Sequence, residues 1–223
     1  MFNNKEADAK VNQRIIDSYD YLSNAASKQE MTGLIPSKPV SSRELESYEE
    51  FLDVREKNPD YTWVYSTVVG RDSADMFGSF TINKGSNDGI KVNDAVIYSE
   101  YLIGVVTEVN PTTAVVRSVF DPSVNIAAYE IRTGELGYVS SNATMSVDGI
   151  CQLSGLDTKT TVSKGGIVCT SGTGGIFPKD LIIGTIAEVK QSETDLSAYA
   201  VLETEINPKD ISDCFVITAF NEN

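Results

Sequence analysis

The octapeptide Leu102-Ile103-Gly104-Val105-Val106-Thr107-Glu108-Val109 returns 80 residues later as Ile182-Ile183-Gly184-Thr185-Ile186-Ala187-Glu188-Val189, identical at four of eight positions. The match runs on in both directions. Upstream, Asp94-Ala95-Val96-Ile97-Tyr98-Ser99 aligns with Gly166-Ile167-Val168-Cys169-Thr170-Ser171. Downstream, Ala114-Val115-Val116 aligns with Tyr199-Ala200-Val201, and Phe120-Asp121-Pro122 with Ile206-Asn207-Pro208. A duplicated unit this short, rich in Val and Ile, predicts two small related β-barrels. The glycine inside each repeat permits a tight bend or a close backbone approach in a curved strand.

The surrounding texture agrees. From Tyr61 onward the chain is a series of short runs rich in Val, Ile, Thr and aromatics: Tyr61–Val69, Gly78–Ile82, Ala95–Ile97, Leu102–Val109, Ala114–Phe120 and Ser123–Tyr129, then Leu136–Val139, Gly149–Leu153, Gly166–Thr170, Leu181–Val189, Ala198–Ile206 and Cys214–Phe220. Turn strings such as Gly85-Ser86-Asn87-Asp88-Gly89, Asn110-Pro111 and Gly172-Thr173-Gly174-Gly175 separate them. This spacing means a sandwich or barrel and not a β-α-β fold. Gly85, Gly89, Gly104, Gly172 and Gly184 are the expected turn and strand glycines.

Before residue 60 the pattern is helical. Val11, Ile15, Tyr19, Leu22 and Ala26 step by three or four, a single helix stripe. Gly33, Pro36 and Pro39 interrupt it; Ser41-Ser42-Arg43-Glu44 then fits a capping box, and Leu45, Tyr48 and Leu52 continue a stripe up to Asn58-Pro59. Such narrow stripes have no core of their own, so they pack on a barrel, on each other or on a second chain. Val11, Ile15, Tyr19, Leu22, Leu45, Tyr48 and Leu52 are the candidate residues for self-association.

The expected organisation is therefore mainly β. Residues 1–60 form a coiled-coil-like helical connector broken near 33–41, residues 61–121 a first barrel of about six strands, and residues 122–208 a second of related topology. The last strand, within 209–223, is expected to complete the first barrel, because the repeat accounts for each unit without it.

Chemistry finds little to work with. The chain has no histidine, which removes Ser-His-Asp and Cys-His nucleophile systems and two-His metal sites. Thr170-Ser171-Gly172-Thr173-Gly174-Gly175 looks like a protease nucleophile loop, and paired six-stranded barrels are a protease architecture. A serine hydroxyl needs a base, however, and only a Ser-Lys dyad of Ser171 with Lys164 or Lys179 is conceivable. A phosphate loop is excluded, since Phe177-Pro178 follows where a helix should start. Glu44, Glu46, Glu49, Glu50 and Asp53 share one helix and read as a solvated face, and no loop has the alternating ligands of a calcium site. Asn142-Ala143-Thr144 fits a glycosylation acceptor, a frequent chance match. Cys151, Cys169 and Cys214 lie in apolar runs and read as buried small side chains. No catalytic, cofactor or metal residues are assigned.

Charge excludes a further class. Lys and Arg total 18 against 32 Asp and Glu, a net charge of −14, and both the first 63 residues and the remainder are acidic. Nucleic-acid binding needs clustered cations and is not expected. No stretch approaches 18 consecutive apolar residues.

Several blocks, in order, resemble the extracytoplasmic region of the bacterial rod shape-determining protein family MreC. They are Val69-Gly70-Arg71-Asp72, then Phe80-Thr81-Ile82-Asn83-Lys84-Gly85-Ser86-Asn87-Asp88-Gly89-Ile90, Leu102-Ile103-Gly104-Val105-Val106 and Ser118-Val119-Phe120-Asp121. Gly165-Gly166-Ile167-Val168-Cys169-Thr170-Ser171-Gly172, Phe177-Pro178-Lys179-Asp180-Leu181-Ile182-Ile183-Gly184 and Cys214-Phe215-Val216-Ile217 complete the series. The resemblance covers about residues 44–220. It departs at Gly166, where the family usually has Asp, and at Asp180, where it usually has Gly.

The resemblance implies a non-enzymatic scaffold of the cell-wall elongation machinery, without cofactor, that dimerises. The partners it implies are a penicillin-binding transpeptidase, RodA, MreD and the MreB system. It also implies a place on the outer face of the bacterial cell membrane, anchored by an N-terminal membrane helix that this chain does not contain. Tyr138, Phe177 and Pro178 are the candidate partner surface, as loop aromatics that either anchor an interface or cap a barrel. The rival reading is a hydrolase on a paired-barrel fold, with a non-histidine dyad at Ser171.

Overall fold

The computed structural model describes residues 58–72, 74–191 and 197–220. The helical stripes from Val11 to Leu52, and the dimer residues drawn from them, lie outside the described residues.

Among the described residues twelve strands follow one another: β1 (Thr62–Gly70), β2 (Phe80–Ile82), β3 (Ala95–Tyr98), β4 (Tyr101–Val109), β5 (Ala114–Ser118) and β6 (Ile126–Glu130), then β7 (Leu136–Ser140), β8 (Ile150–Leu156), β9 (Ile167–Thr170), β10 (Ile182–Gln191), β11 (Ala198–Glu203) and β12 (Asp213–Ala219). The fold is mainly β. One short helix, α1 (Ala143–Val147), precedes β8. Asn142 starts it, its side-chain oxygen accepting the Thr144 and Met145 amides at 3.0 Å each.

The strands close into two rings of six. In the first, β4 pairs with β3 and β5, β12 joins β3 to β1, and β2 joins β1 to β5. In the second, β10 pairs with β9 and β11, and β6, β7 and β8 close the circuit. Closure leaves neither ring an open edge on which another strand could pair. The C-terminal strand β12 lies inside the first ring, between β1 and β3.

Alternation fills both interiors. Val64, Phe80, Ile82, Val96, Ile103, Val106, Val116 and Val216 pack in the first ring. Ile126, Ala128, Val139, Leu153, Val168, Ile183, Ile186 and Leu202 are buried in the second. Each large side chain removed from water contributes about 1.5–3 kcal/mol, so these two interiors carry the fold.

The repeat is visible in the hydrogen-bond ladders. Val96 pairs with Gly104 as Val168 pairs with Gly184, and Ile97 with Leu102 as Cys169 with Ile182. The ladder then skips Ile103 in one ring and Ile183 in the other, and further along it skips Thr107 and Ala187. These are β-bulges, which bend a strand enough to close a small barrel. Asn93 (φ 75) and Gly165 (φ 79) occupy the same left-handed turn position before β3 and β9. Their amides donate to Val106 and Ile186, both at 2.8 Å.

One sequence alignment needs correction. Val109 faces Ala114 and Val189 faces Ala200, so Ala114-Val115-Val116 corresponds to Ala200-Val201-Leu202, one residue later than similarity of side chains suggests. The two Pro turns confirm the shift: Asp121 and Asn207 each accept the amide two residues on, from Ser123 at 2.8 Å and Lys209 at 3.0 Å.

The rings meet at a single parallel pair, Ile182 beside Tyr101, where the Ile182 amide donates to the Glu100 carbonyl at 3.2 Å. The linker from β5 to β6 is held more firmly. The Phe120 amide donates to Ser118 Oγ at 3.1 Å, and the Phe120 carbonyl accepts the Ser146 hydroxyl of α1.

Candidate functional site

Among the described residues there is no group of three or more His, Cys, Asp or Glu side chains able to hold a metal ion. All three thiols are buried and unpaired. Burial pushes the Cys151 thiol up to about 12, and burial with neighbouring carboxylates pushes Cys169 to about 11, so both are poor nucleophiles.

Ser171 has no base. Its hydroxyl donates to Thr173 Oγ1 at 2.9 Å and accepts the Thr173 amide at 3.2 Å, a local turn that occupies both its donor and its acceptor. The Lys179 ammonium lies instead over the Tyr129 ring, 5.7 Å from its centre. The dyad expected of the hydrolase reading is therefore not formed with Lys179.

What remains is surface. On β6 and β9, Ala128, Glu130, Val168 and Thr170 point into the ring and are fully buried, so Tyr129, Cys169 and Ile167 point out. Register places Leu136 of β7 beside Tyr129, and Tyr138 beside Ala127. The Ile131 amide donates to the Ile167 carbonyl at 3.0 Å, extending the row. Ile131, Leu136, Tyr138 and Ile167 thus share one outer face of the second ring, with Leu136 66% and Tyr138 50% exposed. No sequence reasoning picked Leu136, Ile131 or Ile167. The signal was present: Leu136-Gly137-Tyr138-Val139 is apolar at both parities of the strand, which an ordinary half-buried strand is not.

Phe177 and Pro178, expected on the partner surface, are instead buried, Phe177 to 8% exposure. The Thr170 hydroxyl donates to the Pro178 carbonyl at 2.6 Å and draws this stretch against β9. Phe177 and Pro178 are capping residues; Ile176 beside them is the one that reaches solvent.

An ion pair between a buried carboxylate and a half-exposed guanidinium underlies the face. Glu130 Oε1 accepts Arg132 Nε at 2.9 Å, and Oε2 accepts the Thr133 amide at 2.9 Å. Burial pushes this carboxyl up, but the Arg132 and Thr133 hydrogen bonds outweigh it and hold the pKa below its ordinary value. A Cβ on Gly166 would stand 2.6 Å from Glu130 Oε1. In the first ring the equivalent residue is Asp94, whose carboxylate accepts the Lys91 amide at 2.7 Å. In the second ring, the Glu130 carboxylate and Arg132 guanidinium fill the space that an aspartate side chain in place of Gly166 would need.

The family model for Rod shape-determining protein MreC, barrel core, matches residues 68–218. The cell shape-determining protein MreC of Listeria monocytogenes is 29% identical over 176 residues, covering 78% of this chain and 60% of the relative. A solved structure of MreC superposes with a TM-score of 0.71 at 22% identity, over 79% of this chain and 98% of the other. Another, from a complex between penicillin-binding protein PBP2 and MreC of Helicobacter pylori, superposes at 0.58 with 15% identity, over 71% of this chain and 98% of that one. The chain spans three-fifths of the length of its Listeria relative.

Proposed function

The chain belongs to the MreC family of rod shape-determining proteins, and from that premise we propose that it is a non-enzymatic scaffold of bacterial cell-wall elongation. The observation that carries this is the pairing of two closed rings with an exposed apolar face on the second, at Ile131, Leu136, Tyr138 and Ile167. A closed barrel offers rigid side-chain rows and no free strand edge, which suits docking through its outer face.

The partner we assign to that face is a penicillin-binding transpeptidase, since the Helicobacter pylori MreC forms a complex with PBP2. RodA, MreD and the MreB system follow from family membership. So does a place outside the cytoplasmic membrane; no helix among the described residues is long and apolar enough to cross one. Residues 61–121 with 209–223 form one functional barrel in this reading and residues 122–208 the other. Self-association runs through Val11, Ile15, Tyr19, Leu22, Leu45, Tyr48 and Leu52.

The test is capture of the cognate transpeptidase by the chain and by a Leu136→Ala, Tyr138→Ala variant that keeps its circular dichroism. Loss of about tenfold or more in affinity is expected for two central apolar anchors. Unchanged capture overturns the surface. Solution mass with and without residues 1–60 tests the dimer, and a monomer in both cases dismisses it.

A further inference from the structure

The outer wall of the first ring is apolar and covered. Strand register sets two rows across it, Tyr65–Phe215–Ile97–Leu102 and Trp63–Ile217–Ala95–Val105, each running from β1 through β12 and β3 to β4. Val64, Val96 and Val216, their neighbours in sequence, pack inside the ring, so both rows point outward. Yet Phe215, Ile217, Ala95, Ile97 and Leu102 are 2% exposed or less, and Trp63 and Val105 are buried as well. Tyr65 is half-buried, its ring 5.4 Å from that of Phe215. Strands closed to water on both faces carry apolar residues at both parities, as Ala95-Val96-Ile97 and Phe215-Val216-Ile217 do.

The second ring provides the comparison. Leu136, Tyr129, Cys169 and Ile182 hold there the places of Tyr65, Phe215, Ile97 and Leu102. Ile131 and Ile167 hold those of Ile217 and Ala95. Tyr129 is tied within its own ring, its hydroxyl donating to Asp180. Leu136, Ile131 and Ile167 are exposed. The same wall is therefore covered in one ring and open in the other. The rings differ in what feeds it: β1 is entered from residues 44–57, whereas its counterpart β7 follows β6 after the turn at 131–135.

Residues 44–57 lie outside the described residues, and their sequence predicts a helix that stops at Asn58-Pro59, just before Tyr61. A helix of that length spans about 21 Å and is about 10–12 Å across. The wall is four strands wide, about 15–19 Å, with its two rows about 7 Å apart. Tyr61 extends the wall toward this segment, its ring 5.5 Å from that of Trp63 and 6.1 Å from that of Phe220. Phe51 and Val54 fall more than a quarter-turn round the predicted helix from Leu45 and Leu52, while Glu46, Glu49, Glu50 and Asp53 gather on the remaining side.

We infer that residues 44–57 lie as a helix across this wall, with Phe51 and Val54 seated on the rows of Trp63 and Phe215. The first ring thus carries its own docked segment where the second ring keeps the equivalent wall open. This docking is independent of the partner assigned to the second ring, and it leaves Leu45, Tyr48 and Leu52 to self-association.

Trp63 is the chain's only tryptophan, so intrinsic fluorescence of the full chain reads this wall alone. Wild-type emission should be blue-shifted and weakly quenched by acrylamide. Phe51→Asp with Val54→Asp should shift it to the red and raise quenching several-fold, with the strand signal in circular dichroism kept. Leu136→Ala with Tyr138→Ala should leave it unchanged; a red shift in both pairs marks a general loosening and overturns the docking. Unmoved Trp63 emission in the aspartate pair overturns it as well and gives the cover to the second ring. Wild-type emission that turns red on dilution, with the rings still folded, gives the cover to a second copy and overturns it too. Should the aspartates unfold the rings, Phe51→Ala with Val54→Ala is read by the same outcomes.

Discussion

Gly104 and Gly184 occupy the same point in the two rings: a Cβ on the first would stand 2.4 Å from the Arg117 carbonyl oxygen, and on the second 2.6 Å from that of Glu203. Both obstacles are backbone, fixed by the ladders to β5 and β11, and neither can turn aside. Gly104→Ala and Gly184→Ala should each destabilise the chain by about 1–3 kcal/mol, the usual cost of overpacking. The sites lie in different rings, so the double variant should lose the sum. Urea denaturation of the three variants measures this. A neutral Gly104→Ala would mean that the strands of the first ring can separate without loss.

That glycine pair was legible in the sequence, as was nearly every strand, because bulky β-branched runs between Gly, Pro and Asn turns leave a short chain few other ways to bury apolar surface. Register was less so. Ala114 aligned with Tyr199 by similarity of the flanking side chains, whereas the ladder matches Ala114 to Ala200, because adjacent Val and Ala residues look alike at any single-step offset. Asp121-Pro122 and Asn207-Pro208 already held the right spacing, since a turn that needs its side chain tolerates no slip. Helix α1 escaped for another reason. Five residues are too few to show a stripe, and the Asn142-Ala143-Thr144 string, a frequent chance match to a glycosylation acceptor, does not reveal that Asn142 caps two amides. Of the expected partner surface, Tyr138 is exposed while Phe177 and Pro178 are buried; aromatic identity says nothing of which side of a loop faces solvent. The Tyr129–Asp180 and Glu130–Arg132 contacts join residues whose proximity depends on side-chain rotamers, and no periodicity carries that.

The Ser146 hydroxyl also accounts for the linker's rigidity: it donates to the Phe120 carbonyl and lies 2.7 Å from the Asn142 carbonyl of its own helix. Ser146→Ala leaves the buried Phe120 carbonyl without this donor, which costs about 1–3 kcal/mol. Asn142→Ala removes the α1 cap and should cost about 1 kcal/mol. Both should lower the melting temperature, and Ser146→Ala should in addition increase amide exchange at Phe120 and Asp121. If the exchange there is unchanged, the linker is held by packing of Phe120 and not by the serine.

Glu130 makes part of the second ring's stability acid-sensitive. Its carboxylate is fully buried, bonded to Arg132 and to the Thr133 amide, and its pKa is depressed below the ordinary 4.5. A carboxyl whose folded pKa lies below its unfolded value contributes stability that is complete above the unfolded value and is lost as pH falls through the folded one. The chain should therefore lose stability progressively as pH drops below 4.5. Glu130→Gln keeps the shape but cannot ionise, so it should be less stable than the wild type at neutral pH and converge toward it in acid. Urea midpoints across that range distinguish the two outcomes. A constant gap between the two chains at every pH would assign the effect of Glu130 to packing and remove the ion pair from the account. Gly166→Asp tests the same site from the other side: its new carboxylate would enter the space that Glu130 Oε1 and Arg132 Nη2 already fill, 2.6 and 2.9 Å from the added Cβ. It should destabilise the chain most at neutral pH, where both carboxylates are charged, and less as acid neutralises them.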